Sequence, residues 1–341
     1  MCIQICNRNF VASYLQRQYK KNPVNSISPT NSGLVLIADE MHLSIIQMLE
    51  NIGYIPDYKP LIKRQEIIES IGKYEGLIIR SKTFVDEELL ENAHQLRFIA
   101  RAGAGLDLID NEVVSEKKIH LFSANEGNRV AVAEHIIGML LCLMNNILIA
   151  DRQVRNGIWL REANRGYELS GKTVGLIGYG NNGSETAKRL KAFDCKILAF
   201  DKFKTNFNDE FVEESSMDRI YEEADILTLH IPLTNETSIM VDSQYLNRFK
   251  KSIYFLNASR GEIVVLKDIL AALENGKVRG ACLDVLENEK LQKLTPEQQE
   301  VFNKITQSDR VILTPHIAGW THESYVKINQ VLVEKIGQLV F

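Results

Sequence analysis

Thr173-Val174-Gly175-Leu176-Ile177-Gly178-Tyr179-Gly180-Asn181-Asn182-Gly183 is the stretch that decides how this chain is read. Its first five residues form an apolar run of strand length, and that run opens directly into G-x-G-x-x-G. A helical pattern follows (Thr186, Ala187, Leu190, Phe193), then a second apolar run, Lys196 to Phe200, closed by Asp201. Strand, glycine turn, helix, strand and acid together make a dinucleotide site, where glycines alone would not. Gly178 permits the tight turn out of the strand. Gly180 lets the backbone approach a pyrophosphate, and Gly183 lets the helix pack close to the sheet. The free N–H groups at the helix start, with the positive end of its dipole, favour the diphosphate charge. Asp201 stands where a carboxylate accepts from the adenosine ribose hydroxyls and repels a 2′-phosphate, so NAD is the expected cofactor.

Working outward, 341 residues suggest two domains. With 45% hydrophobic and 25% charged residues the composition is that of a globular protein. A net charge of −4 argues against nucleic acid as a partner. The five cysteines (Cys2, Cys6, Cys142, Cys195, Cys282) are odd in number, scattered and without zinc spacing. They predict reduced thiols, a cytoplasmic setting and no metal. Ile136 to Ala150, the longest uncharged apolar stretch, is too short to cross a bilayer and predicts a buried helix instead.

Residues 1–32 contain no acid and four basic residues, and predict a disordered extension. From Gly33 the pattern is regular. Leu34 to Ala38 predicts a strand, His42 to Ile52 a helix, Leu77 to Ile79 a second strand, and Phe98 to Ala100 a third leading into Arg101-Ala102-Gly103-Ala104-Gly105. Val130 to Ala150 predicts one long buried helix. Later strand-like runs end in His230-Ile231-Pro232, in Asn257-Ala258-Ser259-Arg260-Gly261, in Asp284 and in Thr314-Pro315-His316. Thr295-Pro296-Glu297-Gln298 is a capping box that predicts a helix over 295–305. Such alternation implies two doubly wound parallel-sheet α/β domains, with ligands at the carboxyl ends of the strands.

Arg260, Glu289 and His316 all follow strand-like runs, so the fold brings them to one edge. A 2-hydroxy or 2-keto acid wants a guanidinium for its carboxylate and a group titrating near neutrality for its oxygen. A carboxylate beside that histidine would orient the ring. Read alone, Glu289 is a solvated loop carboxylate. Arg260 is equally a cofactor phosphate contact, and His316 a loop histidine.

From Gly33 onward the chain resembles the D-isomer-specific 2-hydroxyacid dehydrogenase family. The resemblance rests on Gly76 to Ser81, Arg101 to Asp107, the glycine fingerprint, Leu229 to Thr234, Asn257 to Gly261, Leu283 to Val285 and Thr314 to Gly319. It implies a Rossmann NAD-binding domain (131–314) inserted into a flavodoxin-like substrate domain (33–130 and 315–341). It assigns catalysis to Arg260, Glu289 and His316. Cofactor contacts fall on Gly178, Gly180, Asn181, Asn182, Gly183, Asp201, Ile231, Ala258, Ser259, Arg260, Asp284, His316 and Gly319. Substrate contacts fall on Arg80, Ser81, Ala102, Gly103, Ala104 and Gly105. A homodimer acting on a small D-2-hydroxy acid, phosphorylated if Arg80, Lys82 and Arg101 meet a phosphate, is the implied assembly.

Several positions depart from the family pattern. Lys290 stands where Pro usually follows the catalytic glutamate, and Asn182 where an apolar residue is usual. Val265-Leu266 replaces an Asp-Glu pair that would cap the next helix. The linker from Lys290 to Arg310 is longer than usual. No regulatory domain follows Phe341, so feedback through one is not expected. The same triad would serve a glyoxylate, hydroxypyruvate or D-lactate reductase. A corepressor that senses NADH is a further possibility within the resemblance.

Overall fold

The computed structural model describes residues 33–339; the expected N-terminal extension lies outside them. The first sheet has β1 (Leu34–Ile37), β2 (Ile55–Tyr58), β3 (Gly76–Ile79), β4 (Phe98–Arg101) and β5 (His120–Ser123), in the order β2-β1-β3-β4-β5. All four pairings are parallel. The second has β6 (Thr173–Ile177), β7 (Lys196–Phe200), β8 (Glu213–Glu214), β9 (Ile226–Leu229), β10 (Ile253–Asn257), β11 (Val278–Leu283) and β12 (Val311–Leu313). Its order is β12-β11-β10-β9-β6-β7-β8, again parallel throughout. Helices cover both faces, and β3, β6, β9 and β10 are buried at every position. Their sequences are therefore near-continuous apolar runs, broken only by the buried Thr173, Thr228 and Asn257, rather than alternations. Each sheet reverses its winding once, between β1 and β3 in the first and between β6 and β9 in the second. Ligands bind at such reversals, and the fingerprint turn lies at the second one.

Two helices follow the crossings between the sheets. The Arg129–Met144 helix packs Ile136, Leu140 and Leu143 against Val174, Leu176 and Leu256 of the second sheet. The closing helix, His322–Gly337, returns to the first sheet and places Ile328, Leu332 and Ile336 beside Val35, Ile37 and Phe98. Asn329, fully buried on that helix, donates to the His42 carbonyl at 2.8 Å.

One expectation is corrected. The single helix over Val130–Ala150 is two, Arg129–Met144 and Ile147–Arg155, bent by 62°. Asn146 breaks it by taking a left-handed φ of 54°, which Asn tolerates better than most residues. The carbonyl freed at Met144 accepts from the Tyr167 N–H at 2.9 Å. Beyond the break the helix is not buried: Ile147 and Leu148 are half-exposed. β2 and β5 carry weak strand signals, since β2 contains Pro56, which an edge strand accommodates. The capping box at Thr295 makes both of its bonds, and its helix runs from Pro296 to Gln307. Among the described residues, no single helix is long and apolar enough to cross a membrane. Cys142, Cys195 and Cys282 are free thiols, and Cys2 and Cys6 lie outside the described residues.

Candidate active site

The dinucleotide turn is built around its glycines. Gly178 holds φ at +94°, and a Cβ there would meet the His230 carbonyl oxygen at 2.5 Å. At Gly183 a Cβ would come 2.1 Å from the Gly178 carbonyl oxygen, so the Asn181–Lys191 helix starts tight against the turn. At Gly180 it would meet nothing within 4 Å, which is the open side a diphosphate needs. That helix has no side-chain cap, and the Asn182 Oδ1 just inside it is buried without a partner among the described residues. Orphan donors at the turn and an orphan acceptor beside it fit the charge and hydrogen-bonding groups of a dinucleotide.

Asp201 ends β7 half-buried. Its carboxylate accepts from the N–H groups of Tyr179 (2.8 Å), Phe203 (2.9 Å) and Lys204 (3.0 Å). These bonds lock it against the glycine turn and leave roughly one of its four acceptor positions open. The two lysines beside it are engaged elsewhere. Lys204 donates to the Tyr179 carbonyl at 2.7 Å, and Lys202 pairs with Glu236.

Arg260 sits on a turn shaped by Asn257, a buried residue whose side chain accepts from the Ser259 N–H and donates to the Arg260 carbonyl. The Ser259 hydroxyl donates to the Leu229 carbonyl at 2.6 Å, and Ala258, Ser259 and Ile231 are all partly exposed. Most of the Arg260 fork is engaged within the protein. Its Nε and Nη2 reach Asp107 Oδ2 at 2.9 and 2.8 Å, and Nη1 donates to the Ser259 carbonyl at 2.8 Å. Of five N–H donors, two remain for a ligand. Gly105 is needed here, because a Cβ would lie 1.7 Å from Arg260 Nη2.

His316 and Glu289 are brought together. Nδ1 of His316 lies 2.9 Å from Oε1 and 3.2 Å from Oε2 of Glu289. The histidine beside it, opposed by partial burial, holds the Glu289 carboxyl below the usual range. His316 adopts a left-handed φ of 55° on a loop fixed by Asp284. That carboxylate, 1% exposed, accepts from the Thr314 hydroxyl and from the Ile317 and Ala318 N–H groups. His135 supports it, with Nε2 3.0 Å from Thr314 Oγ1. Asp284 therefore shapes the loop of His316. Gly319 closes the same loop, where a Cβ would strike Asn128 Nδ2 at 2.5 Å. Glu287 is not the partner of His316: it accepts from the Leu266 N–H at 3.1 Å, supplying the cap that Val265 lacks. His230, which follows β9 and meets Thr228 Oγ1 at 3.1 Å, is pushed down to about 4 by burial.

On the opposite wall Asp39, at the end of β1, accepts from the N–H groups of Arg80, Ser81 and Lys82 and from the Thr83 hydroxyl. Lys82 turns away, donating to the Pro60 and Ile62 carbonyls. Arg101 lies under the Ala102–Gly105 backbone, where a Gly103 Cβ would meet its Nη1 at 1.8 Å. Its Nε is buried and unpartnered among the described residues. Burial first, and then Arg260, push this guanidinium down to about 10. Asp107 and Asp39 were not singled out from the sequence, whereas Arg101 was read there as a cation available to a phosphate. Asp39 had a signal, an acid directly after an apolar strand, as at Asp201.

The geometry defines a class: two parallel α/β domains, a dinucleotide turn in one, and an Arg–Glu–His group at the edge it shares with the other. Residues 137–318 match the family model described as D-isomer specific 2-hydroxyacid dehydrogenase, NAD binding domain. The chain is 35% identical over 304 residues to D-3-phosphoglycerate dehydrogenase of Archaeoglobus fulgidus, covering 89% of this chain and 56% of that one. It is 34% identical over 302 residues to hydroxypyruvate reductase of Thermotoga maritima, covering 89% and 96%. A solved D-lactate dehydrogenase of Aquifex aeolicus, complexed with NAD and lactic acid, superposes with a TM-score of 0.75 at 26% identity, covering 89% and 94%. The chain belongs to the D-isomer specific 2-hydroxyacid dehydrogenase family, and its cofactor is NAD. It spans little more than half the length of the phosphoglycerate dehydrogenases it matches.

Proposed function

We propose that this chain is an oxidoreductase that interconverts 3-phospho-D-glycerate and 3-phosphohydroxypyruvate, the reaction of D-3-phosphoglycerate dehydrogenase that opens L-serine biosynthesis. The reaction takes place in the cleft between a substrate domain (33–130 and 315–341) and a cofactor domain (131–314). The observation that carries the phosphorylated substrate is Arg101. A half-buried guanidinium beside Arg260, its Nε unpartnered among the described residues, is a cation in excess of what one carboxylate requires. Hydride exchange is the chemistry that bound nicotinamide supplies. The remaining N–H groups of Arg260 hold the substrate carboxylate. Glu289 engages Nδ1 of His316, which leaves Nε2 to give a proton to the keto oxygen in reduction and take it back in oxidation. Gly178, Gly180, Asn181, Asn182 and Gly183 cradle the diphosphate, Asp201 the ribose, and Ile231, Ala258, Ser259 and Gly319 surround the nicotinamide.

Reduction of hydroxypyruvate or glyoxylate is the second reading, supported by the Thermotoga maritima relative, whose length the chain nearly covers. An NADH-sensing role without turnover is the third. NADH oxidation across phosphohydroxypyruvate, hydroxypyruvate, glyoxylate and pyruvate separates them. The highest kcat/KM is expected for phosphohydroxypyruvate, and no turnover of any would leave the sensing role. A homodimer is part of the proposal. Ile147, Leu148, Val154, Trp159 and Tyr167 form an exposed apolar run along the broken helix and its connector. A cytoplasmic setting agrees with the free thiols.

A further inference from the structure

Arg80 does not reach into the cleft unsupported. Its guanidinium carbon lies 3.8 Å from the centroid of the Trp320 ring and 5.5 Å from that of Tyr325. The two rings contact each other, with centroids 5.1 Å apart and planes tilted by 45°. The guanidinium's hydrogen bond to the Glu40 carbonyl is long, at 3.3 Å. The backbone beneath Arg80 is fixed by Asp39, and the direction of its long side chain is set by the Trp320 ring together with the Tyr325 side chain, which also hydrogen-bonds the guanidinium. Trp320 follows His316 by four residues in the same loop. Its N–H donates to the Ile317 carbonyl at 2.9 Å, and Asp284 pins the N–H groups of Ile317 and Ala318. A rigid loop thus carries the proton donor at one end and, at the other, a ring that grips a cation of the facing wall. Trp320 itself remains half-exposed, so one part of the ring serves Arg80 while another stays open.

We propose that Trp320 is a specificity-determining residue. Its indole face holds the Arg80 guanidinium at a set distance from His316, and so decides which anionic tail a keto acid can present while its carbonyl meets the acid. The physical basis is that a planar, weakly hydrated guanidinium gives up little hydration on stacking and keeps its N–H edge free for an anion. The inference rests on the reading that Arg80 helps receive the substrate's anionic tail.

Steady-state NADH oxidation with phosphohydroxypyruvate and with glyoxylate tests it. The variants are Trp320→Ala, Trp320→Leu, Trp320→Phe, Arg80→Ala and the Arg80→Ala/Trp320→Ala double variant. Trp320→Ala should raise KM for phosphohydroxypyruvate by roughly 5- to 30-fold, the worth of a cation–π contact. The rise should exceed that for glyoxylate, kcat should fall less than KM rises, and Trp320→Phe should recover part of the loss. The double variant should be no worse than Arg80→Ala alone. Trp320→Leu keeps apolar bulk without the π face, so it should behave as Trp320→Ala does even if the smaller side chain loosens the loop. Multiplying effects in the double variant, or equal KM rises for both keto acids with thermal melts unchanged, would overturn the clamp. Failure of the phosphate reading is visible separately, as an unmutated protein that does not prefer phosphohydroxypyruvate. The same cycle run on whichever keto acid turns over best then still decides whether the two residues are coupled.

Discussion

Asp107 and Arg260 join the two walls of the cleft: one carboxylate oxygen lies 2.9 Å from Nε and 2.8 Å from Nη2 of the guanidinium. The pair is partly shielded from solvent, and Arg101 presses on it as a like charge to Arg260. Asp107 therefore both aims Arg260 and offsets the repulsion between two neighbouring arginines. Asp107→Asn keeps the shape and removes the charge. We expect kcat/KM to fall roughly tenfold or more, the scale of one lost charge-assisted contact, while NADH affinity is kept. Unchanged kinetics would mean that the Ser259 carbonyl alone orients Arg260.

The proton donor is tested at His316 and Glu289. His316→Ala should lower kcat by roughly two to four orders of magnitude, the usual worth of a positioned acid. Glu289→Gln keeps the shape but removes the charge beside Nδ1, so kcat for reduction should fall by roughly tenfold or more, the scale of one lost charge-assisted contact, with NADH affinity kept. An unchanged kcat would show the carboxylate to be a bystander. The sign for stability follows from the lowered Glu289 carboxyl. Its contribution is present above the ordinary carboxylate value and fades as pH falls through the lowered one. Glu289→Gln should thus flatten the acid side of the stability curve, and only slightly, because both side chains are about half-exposed.

Cofactor preference is carried by Asp201. Lys202 and Lys204 are engaged elsewhere, so neither is directed at a 2′-phosphate. The unmutated protein should strongly prefer NAD, and Asp201→Ala should narrow the preference chiefly by weakening NAD. Because the carboxylate also ties the glycine turn through the Tyr179 N–H, some thermal stability should be lost with it. Equal kcat/KM for NAD and NADP before mutation is the result that would refute this.

Arg101 should divide the substrates. Arg101→Met keeps the apolar stem and removes the charge, so KM for phosphohydroxypyruvate should rise far more than for glyoxylate. Equal rises for both keto acids would place Arg101 against the shared carboxylate.

The parallel sheets and the dinucleotide turn were legible from residue order because each rests on local chemistry, whereas Arg260, Glu289 and His316 were picked out by the family resemblance. A strand buried on both faces must be an apolar run, a turn with φ of +94° at Gly178 wants glycine, and strand-end loops of a parallel sheet share one edge. What the order of residues left open was settled by contacts between segments far apart in the chain. Glu287 and Glu289 are near-equivalent carboxylates in sequence, yet one caps the Leu266 helix and the other faces His316. Arg80, Lys82 and Arg101 read alike as cations. Packing stacks the first on Trp320, turns the second onto the Pro60 and Ile62 carbonyls and buries the third without a partner for its Nε. Asn145-Asn146 was visible as polar punctuation, but the bend it makes depends on a left-handed Asn146 and on Tyr167, twenty-one residues on, taking the freed carbonyl. Backbone preference acts within a few residues and is written in order. The direction of a long charged side chain is decided by whichever distant ring, carbonyl or carboxylate the fold brings beside it.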